Sequence, residues 1–163
     1  MCIRDSPLLT TRGLKKPEPL RVIFTQSLDL PSKSNLWDCN KAKTLVIYDS
    51  SSANESFLTR IPKCVEVEKV SSDNPELISK ILAKRGCNKV LWECGPRLST
   101  AAIKSDCIQE IITFIAPKIL GGENSMNPFS DFQFKEMNEI IKLSDIQFSL
   151  IGDDICVKSI FKN

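Results

Sequence analysis

The sequence predicts an α/β fold: a mixed β-sheet with helices on its faces. Three observations predict it. Several short runs are apolar and β-branched, as buried strands are. A helix with clear start and stop signals lies between two of them. The last third carries apolar runs parted by a tight glycine turn, the mark of antiparallel pairing. The 163 residues, 42% hydrophobic and 26% charged, suit one globular domain.

Residues 20–25, Leu-Arg-Val-Ile-Phe-Thr, follow Pro17 and Pro19, which discourage helix, and predict the first buried strand. Pro31 and Ser32-Lys33-Ser34-Asn35 make a loop before residues 44–48, Thr-Leu-Val-Ile-Tyr, the second. Residues 50–54 are turn-rich, and Cys64-Val65-Glu66-Val67 predicts the third. Asp73 or Asn74 can then cap a helix that opens on Pro75. Leu77, Ile78, Ile81 and Leu82 share one face, and Gly86 can close the helix in a left-handed conformation. Residues 89–93, Lys-Val-Leu-Trp-Glu, predict a strand next, so a right-handed βαβ crossover and a partly parallel sheet follow. A short helix is expected over residues 97–104, a strand over 110–115 and a loop over 117–128. Residues 140–143, 147–151 and 155–161 predict antiparallel strands with a turn at Gly152-Asp153.

There is no histidine. That excludes a Ser-His-Asp or Cys-His nucleophile, an imidazole base and any zinc site needing an imidazole ligand. A net charge of +2, with scattered lysines, offers no field for a nucleic acid. No apolar run approaches the ~20 residues that cross a bilayer, and no secretory h-region follows Arg4, so a cytoplasmic protein is expected. The seven cysteines include no C-x-x-C pair. Cys64, Cys87, Cys94 and Cys156 lie in or beside apolar runs and are expected to be small hydrophobes rather than disulfide partners or metal ligands. No metal site is predicted.

The segment 90–101, Val-Leu-Trp-Glu-Cys-Gly-Pro-Arg-Leu-Ser-Thr-Ala, carries the most chemistry. A strand that ends at a glycine and feeds a helix presents free amides and the positive helix end at the sheet's carboxyl edge, which suits an anion such as a nucleotide phosphate. Arg97 adds a cation, and Ser99 and Thr100 add hydroxyl donors. Many strand-glycine-helix turns bind nothing, and that bland reading stays open. Glu93 is a charge at the end of an apolar strand, costly unless it meets a polar ligand or is hydrated in a cleft.

Three ordered motifs follow one another: Glu93-Cys94-Gly95-Pro96-Arg97-Leu98, then Ile108-Gln109-Glu110, then Ile115-Ala116-Pro117-Lys118-Ile119-Leu120-Gly121-Gly122. Together they resemble the reductase domain of the bifunctional riboflavin-biosynthesis deaminase/reductase. Asp5-Ser6-Pro7-Leu8-Leu9-Thr10-Thr11-Arg12 and Pro19-Leu20-Arg21-Val22-Ile23 are similar to its preceding motifs, so the resemblance covers nearly the whole chain. It implies a dihydrofolate-reductase-like mixed sheet flanked by helices, with residues 1–163 forming a single partial reductase domain. It also implies NADPH as cofactor and reduction of the ribosyl group of 5-amino-6-(5-phosphoribosylamino)uracil to ribityl. By matching positions it places Asp5, Gly95, Pro96, Arg97, Leu98, Ser99, Thr100 and Ala101 against the cofactor, and Leu9, Arg12 and Glu93 against substrate. It assigns no catalytic side chain. Arg12 suits a substrate phosphate, although as a residue alone it reads as a solvated loop arginine. A homodimer paired through the C-terminal half is a further implication.

The sequence departs from the family at Gln26, where a cofactor-facing serine is usual, and at Cys94, in place of glycine or alanine. The zinc deaminase motifs are absent, and so are the family's opening strand and helix, which predicts a cleft open on one side and an impaired isolated chain. Met1 to Ser6 are expected to be non-native. The alternatives are another pteridine- or dihydrofolate-type reductase, and a non-catalytic dimerising fragment.

Overall fold

The computed structural model describes residues 7–119, 121 and 127–162. The chain forms two compact units that part between Asp73 and Asn74.

The first unit is built on a parallel sheet in the order β1-β2-β3, with β1 Arg21–Thr25, β2 Thr44–Asp49 and β3 Glu66–Val70. Register runs Arg21 against Thr44 and Leu45 against Glu66. β2 is central and buried along its whole length, which is why it reads as an unbroken apolar run. β3 lies at the edge, and only Val70 of it is buried. The connections carry short 3-10 turns, Asn35–Trp37 and Glu55–Arg60, started by side-chain caps from Ser34 and Asn54. Leu28, Val46, Tyr48, Phe57, Ile61 and Val65 form the core, packed by Ile23, Leu30 and Trp37. The third strand begins two residues later than its apolar run suggests.

Arg21 is the first residue of β1 and only 1% exposed. Its guanidinium donates to the carbonyls of Asn35 (3.0 Å), Leu36 (3.1 Å), Asp38 (2.9 Å) and Ala42 (2.7 Å), which ties the whole β1-β2 connection to the strand. Its Nε has no partner among the described residues. Burial lowers the guanidinium's pKa, and the charge of Asp38 pulls the other way.

The cysteine expectation needs correction, because Cys39 and Cys64 form a disulfide with Cα atoms 6.3 Å apart. They are 25 positions apart in sequence, so no local spacing signals them. The parallel sheet brings together the loops that flank β2, and the two cysteines with them. Cys87, Cys94, Cys107 and Cys156 are free, and only Cys156 is buried.

The second unit opens with α1, Pro75–Lys84, capped by Asn74, whose side chain accepts the Glu76 N–H. Pro75, Ile78 and Leu82 face inward. Gly86 closes the helix at φ +83°, the left-handed conformation that its missing Cβ permits. α2, Pro96–Lys104, packs near α1. β4 Glu110–Ile115, β5 Leu143–Ile151 and β6 Asp154–Phe161 form an antiparallel sheet in the order β4-β6-β5. Ile151 opposes Asp154 across the two-residue turn at Gly152-Asp153. Asp145, at φ +49°, sits in a bulge between Ser144 and Gln147. Residues 140–142 precede β5 without joining it.

The predicted strand at residues 89–93 is absent. The run has the composition of a strand but no ladder partner among the described residues, and it is largely exposed, Leu91 at 75%. A strand exists only when another segment takes up its N–H and C=O groups, and a composition signal says nothing about that partner. The βαβ crossover expected through α1 is therefore not formed.

Candidate functional site

In the first unit, Leu9 and Arg12 lie in the segment before β1, and both have left-handed backbones, φ +47° and +52°. For a residue with a Cβ this costs about 1–2 kcal/mol each. Arg12 and Gly13 (φ +83°) are the central residues of a tight turn closed by the Leu14 N–H donating to the Thr11 carbonyl at 3.0 Å. Thr10 Oγ1 accepts the Arg12 N–H at 3.3 Å. Glu18 Oε2 accepts the Thr11 N–H at 2.8 Å and lies 2.9 Å from the Thr11 hydroxyl. The Thr11 backbone bond holds the Glu18 carboxyl below its ordinary range, aided by the Thr11 hydroxyl, the Lys16 charge and the Gly13 N–H against the opposing effect of burial. The Arg12 side chain is exposed, and among the described residues nothing pairs with its guanidinium.

Gln26 engages protein groups: its side-chain amide donates to the Asp73 carboxylate, and its backbone carbonyl accepts from the Ser52 hydroxyl at 3.1 Å. Asp5 and the turn residues Leu120 and Gly122 lie outside the described residues, as do Met1 to Ser6.

In the second unit, residues 95–101 stand together at the start of α2. Gly95 is the N-cap and supplies no side-chain cap to the amides of the first turn. A Cβ built on Gly95 would touch nothing within 4 Å, and its φ of −74° is open to any residue. Neither packing nor backbone requires glycine there. Uncapped amides, the positive helix end and exposed Arg97 together suit a phosphate. The residues thus fit the diphosphate of a dinucleotide.

Two details differ from expectation. Thr100 is 5% exposed, and its hydroxyl accepts the Ser130 N–H at 2.9 Å and faces the Ser130 carbonyl at 3.3 Å, so it points inward rather than toward a ligand. Ser99 Oγ lies 3.1 Å from the Gly95 carbonyl and 3.2 Å from Cys94 Sγ, buttressing the turn. Leu98 and Ala101 are half-buried, and Pro96 is exposed at the first helical position. Glu93 is exposed in irregular chain, so the argument from a charge at a buried strand end falls away.

Thr11, Glu18 and Arg21 were missed as contributors. Arg21 had a legible signal, a cation inside an apolar strand, which must find acceptors. Thr11 and Glu18 had none, since a hydrogen bond across seven residues of loop has no sequence period.

Residues 1–157 match the family model described as the RibD C-terminal domain. Riboflavin biosynthesis protein RibD of Synechocystis is 39% identical over 153 residues, covering 93% of this chain and 41% of that protein. Riboflavin biosynthesis protein PYRR, chloroplastic, of Arabidopsis thaliana is 37% identical over 155 residues, covering 94% of this chain and 26% of that protein. Among solved structures, Acinetobacter baumannii RibD superposes with a TM-score of 0.77 at 21% identity, over 99% of this chain and 44% of that one. The fold is thus that of the dihydrofolate-reductase-like RibD reductase domains, and this chain spans less than half the length of these relatives. No helix among the described residues is long and apolar enough to cross a membrane. From its first residues to β6, the chain belongs to the RibD C-terminal domain family.

Proposed function

We propose that this chain, acting as part of one reductase domain, carries out the NADPH-dependent reduction of 5-amino-6-(5-phosphoribosylamino)uracil to its ribitylamino product. What supports the reading most is the family match over residues 1–157, whose members here carry riboflavin-biosynthesis names. The uncapped start of α2 behind Gly95 agrees with it as a seat for the cofactor's diphosphate. A bound nicotinamide would supply the hydride. The protein's part is then to bind, orient and charge the site, which needs no imidazole. Gly95 lets backbone amides approach the diphosphate, and Arg97 adds a positive charge beside it. Arg12, with a guanidinium fork, takes the substrate's phosphate, and Leu9 packs against the substrate.

A second copy of the chain is the proposed partner. Phe148 and Leu150 oppose Val157 and Ile155 on one face of the antiparallel sheet and are 73% and 75% exposed. Contiguous apolar surface of this kind marks an interaction site.

The purified chain should quench its tryptophan fluorescence on titration with NADPH and consume NADPH only when the phosphoribosylaminopyrimidine is added. Consumption with dihydrofolate in its place would favour a pteridine-type reductase instead. No NADPH binding at millimolar concentration would support the non-catalytic alternative.

A further inference from the structure

The Thr11–Glu18 contact lies outside the residues that the family resemblance assigns, yet it fixes the one turn that carries Arg12. Arg12 has a left-handed backbone, φ +52°, which a side-chain-bearing residue does not keep unaided. Gly13 at φ +83° and the Leu14 to Thr11 bond complete the turn, but its leading residue, Thr11, is held from outside. Glu18 does this from seven residues away, accepting the Thr11 N–H at 2.8 Å. The Thr11 hydroxyl lies 2.9 Å from the same carboxylate oxygen and 2.8 Å from the Lys15 carbonyl, and its one proton serves either. No bond joins Glu18 to the Arg12 guanidinium among the described residues, so the carboxylate orders the turn without neutralising the cation it presents. An arginine on a strained and externally braced turn, its guanidinium unpaired among the described residues, is set up for an anion.

We propose that Glu18 is a positioning residue for the substrate's phosphate: by holding Thr11 it keeps Arg12 in the conformation that presents its guanidinium. This rests on the reading that Arg12 takes that phosphate. The gain is pre-organisation, because the loop is ordered before the ligand arrives.

Calorimetric titration of the full chain with the phosphorylated ribosylaminopyrimidine, and with the same compound lacking phosphate, tests it. Arg12→Ala should weaken binding of the phosphorylated compound and leave the other unchanged. Glu18→Leu should weaken the phosphorylated compound about five- to tenfold, the factor carried by a charge-assisted hydrogen bond, and again leave the other unchanged. Glu18→Gln, which keeps an acceptor for the Thr11 N–H, should restore most of the affinity. In the Arg12→Ala background, Glu18→Leu should add nothing. If wild type binds both compounds alike or binds neither, or if Arg12→Ala has no effect, the reading of Arg12 falls. If Arg12→Ala acts but Glu18→Leu does not, or if Glu18→Leu weakens both compounds equally, Arg12 stands and the positioning role of Glu18 is overturned. Thr11→Val gives an independent check from the other side of the contact and should reproduce part of the Glu18→Leu loss.

Discussion

Gly95 has open space beside it among the described residues, and this makes it a clean probe of the proposed cofactor seat. Gly95→Ala should cost under about 1 kcal/mol of stability, the usual difference at a helix N-cap. On the proposed reading it should weaken NADPH binding about tenfold or more, because a methyl group would stand where backbone would approach the diphosphate. Fluorescence titration beside a thermal melt separates the two effects, and equal affinity for both chains would remove the diphosphate from this turn. Arg21 is the opposite case, a buried side chain whose loss takes a charged donor away from four backbone carbonyls. Arg21→Met should destabilise the chain by roughly 3 kcal/mol or more in a urea titration. Tyr48 is the only tyrosine, so its ultraviolet titration is unambiguous. Burial raises its pKa first, and the Glu55 hydrogen bond at 3.1 Å raises it further. Tyrosinate should therefore form above the ordinary range, and Glu55→Gln should bring the transition down while leaving the burial contribution.

At the level of elements, β1, β2, α1, α2, β4 and the final hairpin were legible because each carries its own cause. β2 is buried on both faces and reads as continuous apolar sequence; α1 shows Asn74, Pro75 and Gly86 at its ends; β4 occupies the residues its apolar run marks. The segment at 89–93 was not legible, since strand-forming composition cannot specify a neighbour. The Cys39–Cys64 bond was hidden for a related reason, as it depends on which loops the sheet draws together. In the candidate site, the α2 turn was readable from Gly95-Pro96, whereas Thr100 turned inward because its place on the helix faces Ser130. Closing a loop of 25 residues stabilises by about 3 kcal/mol in the chain-entropy account. Reduction with a thiol, or Cys64→Ala, should lower stability by about that amount, and a melting temperature unmoved by reductant would argue against the bond.

For the molecule as a whole, the family was legible from three spaced motifs, all of them in the second unit, with the similar segment at residues 19–23 in the first. The apolar face of the β5-β6 hairpin belongs to this scale. Phe148→Glu should shift the sedimentation of a dimer toward monomer, and an unchanged sedimentation profile would exclude that face. The first unit is fastened by groups that release at different acidities. Glu18 and Glu55 have lowered pKa values, so their contributions are complete above the ordinary carboxylate range and are lost as pH falls through the lowered values. Lys69 and Tyr48 are raised, so theirs are complete below their ordinary values and are lost as pH rises through the raised ones. Arg21 has no proton to gain or lose in acid. Acid would thus slacken the Arg12 turn and alkali the Tyr48 corner, while the loop fastened by Arg21 stays shut as the pH falls, one knot that holds in acid while the ties around it come undone a proton at a time.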